Sequence, residues 1–211
     1  MRTPPVIDDR KNRSPTVIVI DDDQSVREAL KGLFESVGLS AETHGSVKEF
    51  MAADDPEKAG CIVLDIRLPG QSGLEFQEAL AKSGLPRSVV LISAHVDVPM
   101  AVRAMKAGAI DVLNKPVREQ DLLEAVNRAI ADDAARRGEK KEKAATRSRY
   151  MSLTQRERQI LALVIAGKLN KQIAAELHVA EPTVKLHRGH MMRKMKATSV
   201  AQLVKMADGL L

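Results

Sequence analysis

The first 133 residues alternate between short continuous apolar runs and longer segments in which apolar residues recur every three or four positions. The runs have the length of buried strands, and the spaced segments have the period of helices that pack on one face. This alternation predicts an α/β doubly wound domain with a five-stranded parallel sheet, of the flavodoxin-like kind. The predicted strands are residues 16–20, 39–44, 61–64, 88–92 and 110–113, and the helices between and after them include 26–37, a short segment after Ser46, about 74–82, about 99–106, and a last one through Leu122, Leu123, Val126 and Ile130.

Several residues at the predicted helix ends have the chemistry of caps. Ser46 precedes a helical pattern with Glu49 three residues later, which is the pattern of a capping box. Gly38 and Gly108 follow the first and fourth helical patterns, where glycine commonly ends a helix.

Residues 150–211 contain four helical patterns and no strand pattern, which predicts an all-α four-helix domain. Thr154 and Glu157 form a capping box for the first helix, Glu181 opens the third, and Ser199 is the predicted N-cap of the fourth. A short turn joins the second and third helices, and the third is densely basic, as is typical of a helix-turn-helix. The alternative is a four-helix bundle whose basic face is only solvated.

Charge is distributed unevenly over the 211 residues. Residues 1–133 carry 16 Lys and Arg against 22 Asp and Glu, whereas the remainder is basic, with net charges of +5 in 134–149 and +6 in 150–211. An acidic front and a basic back indicate two domains, with nucleic acid as the partner of the second. The predicted division is a disordered lead-in at 1–15, a first domain at 16–133, a basic linker at 134–149 and a second domain at 150–211. The composition of the linker suits either a helical extension or a flexible spacer.

Composition excludes several classes of protein. Aromatic residues make up only 2% of the chain, which argues against binding of single-stranded nucleic acid by base stacking. Cys61 is the only cysteine, so no disulfide can form within one chain. We find neither a secretory signal nor an apolar stretch approaching the roughly 20 residues of a membrane span. A cytoplasmic protein with no membrane partner is therefore expected.

Polar residues stand at the ends of four predicted strands: Asp21–Asp23, Asp65, Ser93 and Lys115. The carboxyl ends of parallel strands meet at one edge of a sheet, where ligands bind, so these side chains should converge. A single Asp at a strand end is more often a turn former or a helix cap. Several carboxylates at one edge repel one another, however, and a hard cation such as Mg²⁺ would neutralise them.

These residues, in this order and at these strand ends, resemble the receiver domain of bacterial two-component response regulators. The segments Asp-Ile-Arg-Leu-Pro-Gly-Gln-Ser-Gly and Met-Lys-Ala-Gly-Ala-Ile-Asp-Val resemble the FixJ/NarL type in particular. The resemblance implies that a histidine kinase transfers a phosphoryl group to Asp65. It implies further that Asp22 and Asp65 bind Mg²⁺ directly, with the backbone carbonyl of Arg67, and that Asp21 assists through water.

The resemblance also assigns roles to the remaining strand ends. Ser93 would hydrogen-bond the phosphoryl group, Lys115 would pair with it, and the small Ala94 would leave room for it. Receiver domains usually carry Tyr or Phe three residues before the lysine as a rotamer switch. That position is Val112, whose side chain cannot swing a ring inward, so either backbone and helix movement carries the coupling or activation is differently wired.

The second domain resembles the LuxR-type output domain in the segments Leu-Thr-Gln-Arg-Glu-Arg-Gln-Ile-Leu, Asn-Lys-Gln-Ile-Ala and Thr-Val-Lys-Leu-His. The resemblance places the third helix in the major groove of DNA. Gly189 stands where relatives often have a long base-contacting side chain, so the recognised sequence cannot be carried over from them. The implied DNA-binding residues are Lys185 and Leu186 at the bases, Asn170, Lys171 and Thr183 at phosphates, and His187 and Arg188 as further candidates.

The expected function is that of a response regulator, not a turnover enzyme, whose phosphorylated homodimer binds paired half-sites in promoter DNA. One alternative is a phosphorylation-independent DNA-binding protein whose receiver is a dimerisation module. A more remote one is a Mg²⁺-dependent phosphohydrolase with Asp65 as nucleophile. Such an enzyme needs a second acid two residues later, where this chain has Arg67.

Overall fold

The computed structural model describes residues 15–56, 58–83 and 87–207. The predicted lead-in, apart from Pro15, lies outside these residues. The chain divides into two compact units between Arg136 and Arg137. Within the described ranges, none of the helices combines the length and apolarity that a bilayer crossing requires.

The first unit is built on a parallel sheet whose central strands consist almost entirely of buried, mostly β-branched residues. The strand order is β2-β1-β3-β4-β5, with every neighbouring pair parallel. The predicted five-stranded doubly wound domain is therefore confirmed. The strands are β1 (Thr16–Ile20), β2 (Ser40–His44), β3 (Gly60–Asp65), β4 (Ser88–Ser93) and β5 (Asp111–Asn114).

Helices cover both faces of this sheet, because successive residues of each central strand point to opposite sides. One face buries Ile18, Ile62 and Leu91 with side chains from the intervening helices, and the other buries Val17, Val63 and Val90 against the first and last helices. The helices are α1 (Gln24–Ser36), α2 (Val47–Ala53), α3 (Gly73–Lys82), α4 (Val98–Lys106) and α5 (Glu119–Met151).

The cap of α2 differs from the predicted capping box in one contact. Ser46 Oγ accepts a hydrogen bond from the backbone nitrogen of Glu49, as predicted. The Glu49 carboxylate, however, accepts from the backbone nitrogen of Gly45 at 2.7 Å. Ser46 is in extended backbone geometry, and the carboxylate reaches one residue further back than a capping box requires.

Helix α5 runs through 33 residues and passes from the first unit into the second. Residues 134–149, for which the sequence allowed a helix or a flexible spacer, lie wholly inside it. In the first unit, Asp133 accepts a hydrogen bond from the backbone nitrogen of Gly60 at 2.9 Å, and Arg136 donates to Ser88 Oγ at 2.7 Å. These contacts attach α5 to the first residues of β3 and β4.

The second unit continues with four helices after α5, as predicted: α6 (Gln155–Ile165), α7 (Asn170–Glu176), α8 (Glu181–Met195) and α9 (Val200–Ala207). Both hydrogen bonds of the capping box between Thr154 and Glu157 are present, and Ser199 caps α9 through the backbone nitrogen of Gln202. Apolar side chains from all four helices form one core. The pair α7 and α8 has the short turn and the order of a helix-turn-helix.

Candidate functional site

The carboxyl ends of β1, β3 and β5 bring three charged side chains together. The Nζ atom of Lys115 lies 2.6 Å from Oδ2 of Asp21 and 2.6 Å from Oδ2 of Asp65. Asp21 directly follows β1, Asp65 is the last residue of β3, and Lys115 directly follows β5. The parallel register therefore places two carboxylates and one ammonium in direct contact at the sheet edge that the strand ends predicted.

The pKa values of Asp21 and Lys115 are both raised, although burial and pairing act in opposite directions on each of them. Asp21 is fully buried, and this burial raises the pKa of its carboxyl group above the usual value, although the hydrogen bonds from Lys115 and the Asp23 backbone partly oppose it. Burial alone would lower the pKa of Lys115, but the hydrogen bonds and charges of Asp21 and Asp65 outweigh it and raise that pKa. Lys115 is thus held as an ammonium ion between two acids.

The acidic residues after β1 divide into two roles. One carboxylate oxygen from each of Asp21, Asp22 and Asp65 lies within 4.8 Å of the others. Such a set of hard oxygen donors, from two buried acids and one exposed acid, fits Mg²⁺, which keeps several waters and uses few carboxylates. Asp23 instead caps α1, since its Oδ1 accepts from the backbone nitrogen of Ser25 at 2.8 Å.

The loop after Asp65 is folded closely against that residue. The backbone nitrogen of Arg67 donates to Oδ1 of Asp65 at 3.0 Å, while Arg67 itself is exposed. Gly73 packs so tightly that an added Cβ atom would lie 2.1 Å from the backbone oxygen of Asp65. The glycine is therefore needed for the loop to return to the strand end, and both oxygens of the Asp65 carboxylate are oriented by this chain's own donors.

The remaining predicted residues of this edge are less directly engaged. The hydroxyl of Ser93, which is buried at the end of β4, donates to the backbone oxygen of His95 at 3.2 Å. Ala94 is exposed beside it. Val112 lies in β5 and packs, partly buried, against the core on one face of the sheet. The structure thus places Ser93 at the end of β4 and Ala94 directly after it, and gives Val112 a packing contact.

The predicted DNA-binding residues cluster on α8 and at the start of α7. Lys185, Leu186 and Lys171 are exposed, and Asn170, Thr183, His187 and Arg188 are half-buried. The structure joins two of them directly, because Nη1 of Arg188 donates to Oδ1 of Asn170 at 2.8 Å.

The structure gives no steric reason for Gly189 in α8. A Cβ atom added to Gly189 would meet nothing within 4 Å inside the protein. This exposed position leaves a gap in the row of side chains along the helix.

Arg27 is a site residue that the sequence reasoning missed. Its Nη1 atom donates to the backbone oxygen of Asp21 at 2.8 Å and to that of Asp22 at 2.9 Å. The sequence does contain a signal for this role, because Arg27 follows the N-cap Asp23 by four residues. This spacing places it on the first turn of α1, next to the acidic loop.

Two family models match the chain, one for each unit. The model described as the response regulator receiver domain matches residues 17–127. The model described as bacterial regulatory proteins, luxR family, matches residues 151–207. Together they span the acidic strand-end site and the helix-turn-helix.

Individual relatives and one solved structure resemble the chain over most of its length. Nodulation protein W of Bradyrhizobium diazoefficiens is 46% identical over 194 residues, covering 92% of this chain and 86% of the relative. The transcriptional regulatory protein FixJ of Azorhizobium caulinodans is 42% identical over 191 residues, covering 90% of each chain. The structure of response regulator StyR has a TM-score of 0.83 at 46% identity and covers 93% of this chain and 99% of that one.

Proposed function

The chain belongs to the bacterial response regulators that join a receiver domain to a LuxR-type DNA-binding domain, and from this premise we propose that Asp65 accepts a phosphoryl group from a histidine kinase. The observation that carries the proposal is the convergence of Asp21, Asp22, Asp65 and Lys115 at one sheet edge. Phosphoryl transfer needs a positioned acceptor and neutralised charge more than it needs covalent help, and these four side chains supply both.

In the proposed transfer, a carboxylate oxygen of Asp65 forms a bond to phosphorus while the N–P bond of a phosphohistidine breaks. The electron pair of that bond stays with the leaving imidazole nitrogen. Asp21, Asp22, Asp65 and the Arg67 backbone carbonyl would hold Mg²⁺, which when bound neutralises charge on the transferred group. The ammonium of Lys115 donates a hydrogen bond to Oδ2 of Asp65. In the transfer it would exchange this hydrogen bond for one to a phosphoryl oxygen.

Ser93 and Ala94 complete the proposed site from the end of β4. The Ser93 hydroxyl would give up its bond to the His95 backbone oxygen and donate to the phosphoryl group instead. This exchange would shift the loop after β4 and bias the receiver toward a second conformation. We propose that this conformation favours a homodimer, whose two α8 helices then bind paired half-sites of double-stranded DNA.

The acceptor is tested by incubating the full-length protein with Mg²⁺ and a small phosphodonor and measuring acyl phosphate. Asp65→Asn should form none. Asp23→Asn is the matched control, because it removes an acid from the neighbouring loop while asparagine caps a helix as well as aspartate does. Phosphorylation that persists in Asp65→Asn would refute the acceptor.

The regulatory step is tested separately by size-exclusion chromatography and DNA binding with and without a beryllofluoride mimic of the phosphoryl group. The proposal predicts a larger species and tighter DNA binding when the mimic and Mg²⁺ are present. A receiver that only dimerises, independently of phosphorylation, predicts no change in either measurement. Val112, which packs partly buried against the core at the position where receivers usually carry Tyr or Phe, is the feature that makes this comparison necessary.

A further inference from the structure

The carboxylate of Asp22 is exposed and lies in a loop that must aim it at the other two acids. Among the described residues, this carboxylate makes no hydrogen bond or salt bridge, although one of its oxygens lies within 4.8 Å of oxygens of Asp21 and Asp65. Its direction is therefore set by the backbone that carries it. The contacts that hold this backbone decide whether the three acids can act as one site.

Arg27 is the side chain that holds that backbone. Its Nη1 atom donates to the carbonyl oxygens of both Asp21 and Asp22, at 2.8 and 2.9 Å. The backbone of the loop is also held by hydrogen bonds from the Asp23 nitrogen to Asp21 Oδ1 at 3.0 Å and from the Asp21 nitrogen to the His44 backbone oxygen at 3.2 Å. Among the described residues, Arg27 is the donor to the carbonyl oxygen of Asp22, whereas the N–H of the same peptide group donates to Asp21 Oδ1.

We infer that Arg27 is a positioning residue for the divalent cation of this site, an inference that rests on the proposed function. It acts through the Asp21 and Asp22 backbone and does not touch the ion. Its charge has the opposite effect, because a guanidinium beside a cation site repels the cation. Loss of the orienting hydrogen bonds therefore predicts weaker cation binding when Arg27 is replaced, whereas loss of its charge predicts tighter binding. The sign of the change in affinity distinguishes the two effects.

The test measures binding of Mn²⁺ to the full-length protein by electron paramagnetic resonance, and of Mg²⁺ by competition, without any phosphodonor. Loss of a group that orients a metal ligand commonly weakens metal binding about 10-fold or more, so Arg27→Ala should raise both dissociation constants by about that factor. Arg27→Lys retains N–H donors on a shorter side chain, so it should hold the loop in part and raise the two dissociation constants less. It also replaces Arg27→Ala as the deciding variant if circular dichroism shows that the alanine protein is unfolded.

Lys31→Ala is the matched control, because Lys31 lies one turn further along α1 and its salt bridge is to Glu35. It removes the same charge from the same helix without touching the loop, and should leave binding unchanged or slightly tighter. In an Asp22→Asn background, Arg27→Ala should raise the dissociation constants by a smaller factor than in the unmodified protein. A general loss of stability would not produce this difference between the two backgrounds.

The outcomes separate the inference from the proposed function. If the unmodified protein binds the ions and Arg27→Ala binds them equally or more tightly, the inference alone is overturned. If the unmodified protein binds neither ion, the proposed metal site and the inference fail together.

Discussion

The ammonium of Lys115 lies 2.6 Å from Oδ2 of Asp65, and it makes an equally short contact with the fully buried Asp21. This single positive charge is the counter-ion that the two buried acids share in a poorly solvated site. Lys115 therefore has a structural role in the resting protein in addition to its proposed role in phosphoryl transfer.

Replacing Lys115 with methionine should destabilise the metal-free receiver, because it leaves two buried carboxylates without a counter-ion. Removal of one partner from a buried charge pair costs about 3 kcal/mol or more. Millimolar Mg²⁺ should then stabilise Lys115→Met more than the unmodified protein, since the cation restores the lost charge. Thermal unfolding followed by circular dichroism, with and without Mg²⁺, measures both effects.

The control for this comparison is Lys31→Met, which removes an exposed lysine. Lys31 forms a salt bridge with Glu35, with a distance of 3.8 Å between Nζ and Oε1. Exposed pairs of this kind contribute less than about 1 kcal/mol. Equal destabilisation by the two variants, or equal stabilisation of all three proteins by Mg²⁺, would contradict the role given to Lys115.

The features that could be predicted from the sequence are those that local pattern determines. Continuous apolar runs identified the central strands β1, β3 and β4, and the parallel topology followed from the alternation of strands with helices. Because parallel strands share one carboxyl edge, the meeting of Asp21, Asp65 and Lys115 could be expected as well. The capping box at Thr154 was also readable, since both of its partners lie within four residues.

The features that escaped prediction depend on contacts between distant side chains. Composition left the 134–149 stretch undecided because Ala, Glu, Lys and Arg all favour helix but present no apolar face. The contacts that hold α5 are the hydrogen bond from the Gly60 backbone nitrogen to Asp133, near the middle of the helix, and the donation from Arg158 to the backbone oxygens of Met151, its last residue, and of Leu153 just beyond it. No local pattern reports these contacts.

The bond between Arg188 and Asn170 revises what the sequence suggested for both residues. They were predicted as separate DNA contacts, but the side-chain oxygen of Asn170 is occupied by the Arg188 guanidinium at 2.8 Å. We expect Asn170→Ala to release the Arg188 guanidinium from its hydrogen bond. The difference in binding free energy between a duplex selected for tight binding and a duplex of random sequence should then fall by about 1 kcal/mol or more. The double variant with Arg188→Ala should be little worse than either single variant, because residues in one network are not additive.

Lys171→Ala serves as the reference for a phosphate contact, because Lys171 is exposed on the same helix as Asn170. Loss of a phosphate contact weakens binding to all sequences alike and lowers its salt dependence. Fluorescence anisotropy with both duplexes at several salt concentrations distinguishes the two behaviours. If Asn170→Ala behaves like Lys171→Ala, the side chain contacts phosphate and does not orient Arg188.

Glu157 should make the stability of the second unit depend on pH. Burial raises the pKa of this carboxyl group, but hydrogen bonds from Lys194 and from Thr154 outweigh burial and hold the pKa below its usual value. A carboxyl group with a lowered folded pKa contributes stability that is present above its unfolded pKa and is lost as pH falls through the folded one. The unit should therefore lose stability progressively below about pH 4.5.

Glu157→Gln keeps an acceptor for the Thr154 backbone nitrogen but removes the charge that faces Lys194 at 2.7 Å. It should be less stable at neutral pH and should lose less stability on acidification. Tyr150 is the only tyrosine in a chain without tryptophan and packs against the core of this unit, so its fluorescence follows this unit alone. If acidification lowers the stability of the second unit equally in the unmodified protein and in Glu157→Gln, the ionised Glu157 carboxylate does not contribute to that stability.

Cys61 offers the corresponding probe for the first unit. It is the only cysteine, it is buried in β3, and burial, followed by the charge of Asp133, raises the pKa of its thiol to about 12. At pH 8 the folded protein should therefore react with a thiol reagent only when the sheet opens, since the thiolate is the nucleophile. The rate of labelling then measures that opening.

Asp133 should control this rate, because it accepts the hydrogen bond of the Gly60 backbone nitrogen next to Cys61, at 2.9 Å. Asp133→Ala leaves a buried donor unsatisfied, at a cost of about 1–3 kcal/mol, and should speed labelling by about 10-fold or more if opening is rapid and reversible. Asp133→Asn retains a side-chain oxygen and should speed it less. Because the same residue attaches α5 to the strand that ends at Asp65, equal labelling of the two variants would show that charge, rather than this hydrogen bond, holds the helix to the sheet.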